Sequence, residues 1–303
     1  MHRRDFLRQM AALGLVAGAG RYLVIPQEVW AMAKGAPEPV VAKASGTNYA
    51  HLVGDSIQAL GGMKKFVNPG EVVVVKPNMA CDRTPELAAN AHPVVVRKVV
   101  ELCLEAGAKQ VKVLDHTCHD ARKAYNSSGI KAAVEAIKDP RAVVEYVDER
   151  RFVELAIEKG KALKKWSFYK DILEADRFIN IPVAKHHSEA RLTMCLKNMM
   201  GAIGGWRGRC HVGLHQNIAD MNLVLRPDLH VLDATRILVR NGPSGGRLED
   251  VEVKNLLFAG TDPVALDSLG AGLFNLKPGD LGFIVKSHQA GLGEMDLAKI
   301  KVI

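Results

Sequence analysis

From Glu71 onward the chain alternates runs of β-branched residues with stretches of helical period. "EVVVVKPN" (71–78) is apolar without alternation, the pattern of a strand buried on both faces, and it stops at a proline. "HPVVVRKVVELCLEAGA" (92–108) follows, with Pro93 suited to a first helical turn and Gly107 to the exit. "KQVKVLDH" (109–116) is the next strand. Strand, helix and strand at this spacing make a βαβ unit, which requires parallel pairing. Further strands are predicted in "AVVEYV" (142–147), "RFINIPV" (177–183), "DLHVLDA" (228–234) and "VEVKNLLFAG" (251–260). "FYKDILEAD" (168–176), Ala190–Met200 and "DPVALDSLGAGLF" (262–274) are predicted helices. The fold class is therefore α/β, a mostly parallel sheet with flanking helices, with one body or two lobes left open.

Open parallel sheets bind ligands beyond the carboxyl ends of their strands. Here those ends carry chemistry. The first delivers Lys76 and Asn78; the second Asp115, His116, Cys118 and His119. "RFINIPVAKHH" delivers Lys185, His186 and His187, and the later strands bring Asp233, Asp262 and Asp267. Lys197 and Asn198 close the predicted helix after Lys185, ahead of the glycine-rich "GAIGG". A lysine at a helix end also simply complements the helix dipole. Gly242 and Gly245 lie in "NGPSGG", a turn whose backbone N–H groups can wrap an anion. His211 and His215, four apart, would share a helical face, although Gly213 between them weakens that helix.

Composition narrows the function classes. The 303 residues carry a net charge of +8 without an uninterrupted basic block or an aromatic ladder, which points to an anion-binding pocket rather than nucleic acid. Neither GxGxxG in a βαβ context nor GxxxxGK[ST] occurs, so nucleotide fingerprints are missing. The five cysteines (Cys81, Cys103, Cys118, Cys195 and Cys210) form no CxxC pair, and an odd number does not make a closed disulfide framework. Cys103 reads as core.

The first 33 residues have the architecture of an export signal: a basic start, a short apolar run and Ala31–Met32–Ala33 as a small-x-small cleavage site. Arg3–Arg4 followed by Asp5, Phe6 and Leu7 resembles the twin-arginine signal, which addresses folded proteins to their own export machinery. Its removal takes four basic and two acidic residues, leaving about +6. The expected organisation is a signal peptide over 1–33, a lead-in over 34–70 and an α/β domain over 71–303. The expected location is periplasmic or otherwise exported, with no stable membrane span after cleavage.

"VVVKPN", "AHPVVVRKVVELCLEAGAKQVKVLD", "ADRFINIPVAKHHSEARLTMCLKNMMGAIGG", "NGPSGG", "AGTDPVALDSLGA" and "AGLGEMDLAKIKVI" together resemble the DUF362 family over about 71–303. The resemblance carries over Lys76, Asn78, His92, Asp115, Lys185, His187, Lys197, Asn198, Gly201, Asp233, Gly242, Pro243, Asp262 and Asp267 as motif positions. The clustered-cysteine ferredoxin segment of some relatives is missing here. The first βαβ unit also resembles nickel-dependent lactate racemase, a fold-level likeness that suggests only a chemistry class.

Three readings follow. In the first, an enzyme binds a small carboxylate or phosphate anion with Lys185, Lys197 and His187 as catalytic residues. Lys76, Asn78, His92, Asn198, Gly242 and Gly245 then hold the substrate. Within this same reading Asp115, Cys118, His119, Asp233, Asp262 and Asp267 are candidate ligands of a divalent metal that assists the chemistry. The second reading is a redox protein with Cys81, Cys118, Cys195 and Cys210 holding an iron–sulfur or other metal cluster. The third is a non-catalytic anion-binding protein.

Overall fold

The computed structural model describes residues 38–303, so the expected signal peptide lies outside the described residues. Twelve strands are formed among them: β1 (Val40–Ser45), β2 (Val72–Pro77), β3 (Gln110–Val113), β4 (Ala142–Val144), β5 (Phe152–Ala156), β6 (Lys165–Tyr169), β7 (Arg177–Ile181), β8 (Val183–His187), β9 (Arg191–Thr193), β10 (Leu229–Leu238), β11 (Val251–Gly260) and β12 (Lys301–Val302). The α-helices are α1 (Tyr49–Ala59), α2 (Pro93–Glu105), α3 (Ala121–Ser127), α4 (Ile130–Glu135), α5 (Lys170–Glu174), α6 (Cys195–Asn198), α7 (Leu214–Asn222), α8 (Pro263–Ala271) and α9 (Gly282–Gln289).

Ten strands make one sheet in the order β12-β1-β11-β10-β7-β2-β3-β4, with β8 paired to β10 and to β9; β5 and β6 form a separate ribbon. β10-β7-β2-β3-β4 run parallel, as the βαβ reading predicts, while β11 runs antiparallel to both β1 and β10. Residues of the expected lead-in belong to this same body: β1 lies between β11 and β12, and α1 packs on the core.

The alternation of β2 sorts its valines between two faces. Val73 and Val75 pack with α1 and α2, whereas Val74 packs with Leu114, Phe178, Met199 and Ile203 on the other side. Helix α2 starts where Pro93 needs no N–H partner and where the His92 ring accepts from Val94 N. It buries Val95, Val96, Val99, Val100, Cys103 and Leu104, each fully buried aliphatic contributing about 1.5–3 kcal/mol. Cys103 is thus core, as expected.

The segment predicted as a helix over Ala190–Met200 is built otherwise. Arg191–Thr193 turns back as β9 against β8, α6 then spans four residues, and a tight 3-10 turn follows at Met199–Ala202. Helical composition is overridden here by strand pairing and by a side-chain cap from α8. Pro182, between β7 and β8, shifts the partner of β10 from one strand to the next.

Candidate active site

Lys76 is the next-to-last residue of β2, on the same face as Val74, and it is fully buried. Its ammonium pairs with Asp115 Oδ1 at 2.8 Å; Asp115 follows β3, and its Oδ2 accepts from Met79 N at 2.9 Å. Burial pulls the Lys76 pKa down and Asp115 opposes that pull. Gly201 makes the pair possible, because a Cβ there would lie 1.9 Å from Asp115 Oδ1 and 2.7 Å from Lys76 Nζ. Residue 201 therefore has no room for a side chain.

The β8–β9–α6 segment supplies the opposite wall. Strand alternation puts Lys185 and His187 on one face and His186 on the other. Lys185 donates to Ala89 O at 2.5 Å and Asn78 Oδ1 at 3.2 Å, with Cys81 Sγ at 3.9 Å, so its three N–H groups are already engaged. Asn78 donates to Asn198, Asn198 to Asn180, and Asn180 meets His230, a buried amide relay tying β2, α6, β7 and β10 together. Asp267, fully buried in α8, accepts from Cys195 N at 2.7 Å and Leu196 N at 3.0 Å. It caps α6 and so aims Lys197, while burial pushes its own pKa up to about 7.

Between these walls lies a cavity of about 330 Å³, whose lining includes Asn78, Asp115, Cys118, Lys185, His187, Thr193, Lys197, Asn198, Arg207 and Ser244. Lys76, Lys185 and Lys197 are 0%, 2% and 6% exposed. Among the described residues neither Lys185 nor Lys197 forms an ion pair, and Asp115, the lining carboxylate, is spent on Lys76. The surplus is positive. Among the described residues Lys197 Nζ meets only the thioether of Met200, at 3.4 Å. Burial, reinforced by repulsion from Lys185, lowers its pKa to about 8. Burial and the neighbouring Lys197 hold His187 down to about 3, so its ring is neutral near pH 7. Nδ1 of His187 accepts from Glu189 N at 3.1 Å and Ala190 N at 3.3 Å, which leaves the ring proton on Nε2. Arg207 donates to His116 O at 2.7 Å and also to Thr117 O, pinning the loop after β3.

Other expected site residues are elsewhere or differently employed. His92 caps α2 and its N–H donates to Asp233 Oδ2 at 2.7 Å, while Thr235 occupies the other Asp233 oxygen. Asp262 caps α8 and also accepts from Glu294 N. His119 accepts from Asp82 N, and Cys118 is exposed at the cavity rim. Asp233, Asp262 and Asp267 are thus separately committed to backbone N–H groups. Among the described residues no group of three or more His, Cys, Asp or Glu is placed to hold a metal ion. The residues do not fit the expected divalent site, and the cysteines are not gathered as a cluster would need. Cys81 and Cys118 line the cavity, and Cys195 is buried beside Asp267.

His211 ends a 3-10 turn and pairs with Glu189, whereas His215 is the second residue of α7, beyond Gly213, so the two share no helical face. Gly242 donates to His186 Nδ1 at 3.1 Å, and a Cβ there would lie 2.0 Å from His186 O; this packs the 241–246 turn against β8. Gly245, at φ +56°, is pressed against Leu238. Gly242-Pro243-Ser244-Gly245-Gly246 spells GxSxG, yet it occupies a loop between β10 and β11 and not the strand-to-helix turn of a nucleophile elbow. A larger groove of about 700 Å³ lies along His186, Arg191 and Phe274 and lacks the lysine cluster. Thr193, Asn180 and Arg207 were not foreseen; Thr193 stands opposite Lys185 across β8–β9, a pairing visible only once the hairpin is recognised.

Comparison with known proteins adds four findings. The model of DUF362, a domain of unknown function, matches residues 73–272. The thylakoid-associated protein sll1697 of Synechocystis sp. is 28% identical over 244 residues, 78% of this chain and 73% of that protein. Among solved structures, a Thermotoga maritima protein aligns with a TM-score of 0.42 at 11% identity, over 81% of this chain and 60% of that one. The lactate racemase apoprotein of Thermoanaerobacterium thermosaccharolyticum aligns at 0.41 and 11%, over 81% and 58%.

Proposed function

The chain belongs to the DUF362 family, and from that premise we propose that the lysine-lined cavity is the active site of an enzyme acting on a small carboxylate or phosphate anion. One observation carries the reading: Lys197, buried and without an ion-pair partner among the described residues, faces a cavity whose charge surplus is positive. Its lowered pKa of about 8 lets an amine exchange a proton near neutral pH, the condition for general acid–base work. The role expected of His187 passes to Lys197. A ring held down to about 3 does not take up a proton at pH 7, and its Nε2–H serves as a neutral hydrogen-bond donor. Lys185 becomes a positioning residue, its N–H groups fastening the 78–89 loop while its charge attracts the anion.

Arg207 and Lys185 add positive field, and the lining carboxylate Asp115 is already paired to Lys76, so an anion entering the cavity gains more than it would in water. The same site would serve a non-catalytic binder, but an amine that switches near neutrality favours catalysis.

The test is calorimetry with inorganic phosphate and with lactate on the wild type, Lys197→Met and Lys185→Met/Lys197→Met. Loss of the buried charges is expected to weaken binding at least ~10-fold, about 1.4 kcal/mol. A double variant that binds both anions as the wild type does would remove the site assignment.

For location, we read residues 1–33 as an export address of the twin-arginine type. The Synechocystis relative is thylakoid-associated, which suits a protein that works at or across a membrane. Among the described residues no helix is long and apolar enough to cross a membrane.

A further inference from the structure

We propose that Lys197 is a nucleophile that condenses with the carbonyl of a small 2-oxo carboxylate to form an imine. This rests on the anion-site reading and deepens it by naming the substrate class.

Lys185 and Lys197 line the cavity and Lys76 lies behind it, and of these three only Lys197 has a free amine among the described residues. Lys76 is paired to Asp115 at 2.8 Å, and Lys185 is engaged by Ala89 O and Asn78 Oδ1. Among the described residues Lys197 Nζ meets only the Met200 sulfur, a weak acceptor that does not hold the proton. A buried amine beside other cations is the setting in which lysine forms Schiff bases. Two further polar groups on the cavity wall are unspent. Thr193 Oγ1 is buried, lines the cavity and has no hydrogen-bond partner, an arrangement costly unless a ligand supplies one. His187 offers its Nε2–H, because both backbone N–H donors point at Nδ1. Together they suit the oxygen of a carbonyl and then the hydroxyl of a carbinolamine.

Substrate class follows from matching these groups. The positive surplus takes a carboxylate, the amine takes an electrophilic carbon, and the two donors take the oxygen on that carbon. A phosphate ester or a simple carboxylate offers no such carbon, whereas a 2-oxo acid offers all three within a few atoms. A cavity of about 330 Å³ limits the remainder to a short chain.

The step balances without a cofactor. The lone pair of the neutral amine forms the N–C bond, and the carbonyl π pair moves to oxygen, which takes up a proton. Carbinolamine then loses that hydroxyl as water when the C–O bond breaks. Starting from the ammonium form, both hydrogens of the water come from nitrogen and the iminium keeps the single positive charge. The lowered pKa of Lys197 makes the reactive neutral form available near pH 8.

The test uses the full-length chain with pyruvate, and separately glyoxylate, in the presence of cyanoborohydride, read by intact mass and peptide mapping. With pyruvate the expected product carries one added mass equal to pyruvate less one oxygen atom, on the peptide containing Lys197. Phosphate is expected to protect against it, and Lys197→Arg to lose it. Mapping on the wild type decides the matter even if that variant does not fold. If neither 2-oxo acid gives the adduct, or it falls on another lysine, the imine is wrong. Thermal stabilisation by pyruvate distinguishes the two readings. When stabilisation persists without an adduct, only the imine falls; when neither phosphate nor pyruvate stabilises the protein, the anion site falls with it.

Discussion

Lys197, the residue proposed to do the chemistry, opposes the fold that carries it. Its pKa drops from 10.5 in the unfolded chain to about 8 in the folded one. At pH 7 both states are protonated, so folding bears the full penalty, about 3 kcal/mol by order of magnitude. Between pH 8 and 10.5 the folded state has released its proton while the unfolded state still holds it. Stability therefore rises with pH through that window, and the penalty is gone above it. Lys197→Met is expected to be more stable than the wild type in urea at pH 7 by up to about that amount, with the gap closing towards pH 10.5. A constant gap would mean that the ammonium is not what strains the site. The Lys76–Asp115 pair is different in kind, since each charge has its partner and removing either would strand the other. In the sequence Lys76 and Lys197 look equivalent, two lysines near polar neighbours. What separates them is whether a carboxylate arrives from another strand.

At the scale of elements, the decisive object is the short β9–α6 segment and the residue that caps it. Asp267 comes from α8, 72 and 71 residues further along the chain than the two N–H groups it accepts. Without it, Cys195 N and Leu196 N would be buried donors lacking partners. Asp267→Ala is expected to destabilise the protein by about 1–3 kcal/mol and to weaken phosphate binding, because α6 no longer aims Lys197. Denaturation in urea together with calorimetry checks this; a stability loss with unchanged affinity would reduce Asp267 to a purely structural part. Asp267 lies in the helix predicted over 262–274, beyond a strand end, and reads in sequence as a metal ligand; in α8 it accepts from backbone N–H groups instead. An aspartate looks the same in sequence whether it awaits a cation or an N–H, since both satisfy a carboxylate. The same ambiguity produced the helix expected over Ala190–Met200, where composition favours helix and only the pairing of β9 with β8 overrides it.

For the whole molecule, β1 and α1 close the core that β2 and α2 begin, so the described residues of the expected lead-in are part of the fold. A twin-arginine route accepts a chain only after folding and depends on the arginine pair. Arg3→Lys with Arg4→Lys is expected to leave unprocessed protein in the cytoplasm, as judged by fractionation and mass; normal processing would remove that route. The sequence by itself determined the class of fold, because β-branched runs and 3.6-residue periodicity are local properties that survive any arrangement of neighbours. It also determined the family and which polar residues stand at the strand ends, since Lys76, Asn78, Asp115, Lys185 and His187 lie in or directly after β2, β3 and β8. Only the tertiary structure decided the role of each residue. Burial lowered Lys197 and His187 by different amounts, distant partners occupied Asp233, Asp262 and Asp267, and the β8–β9 hairpin brought Thr193 to the cavity. Desolvation and pairing depend on what approaches through space, and that information is absent from any single stretch of chain.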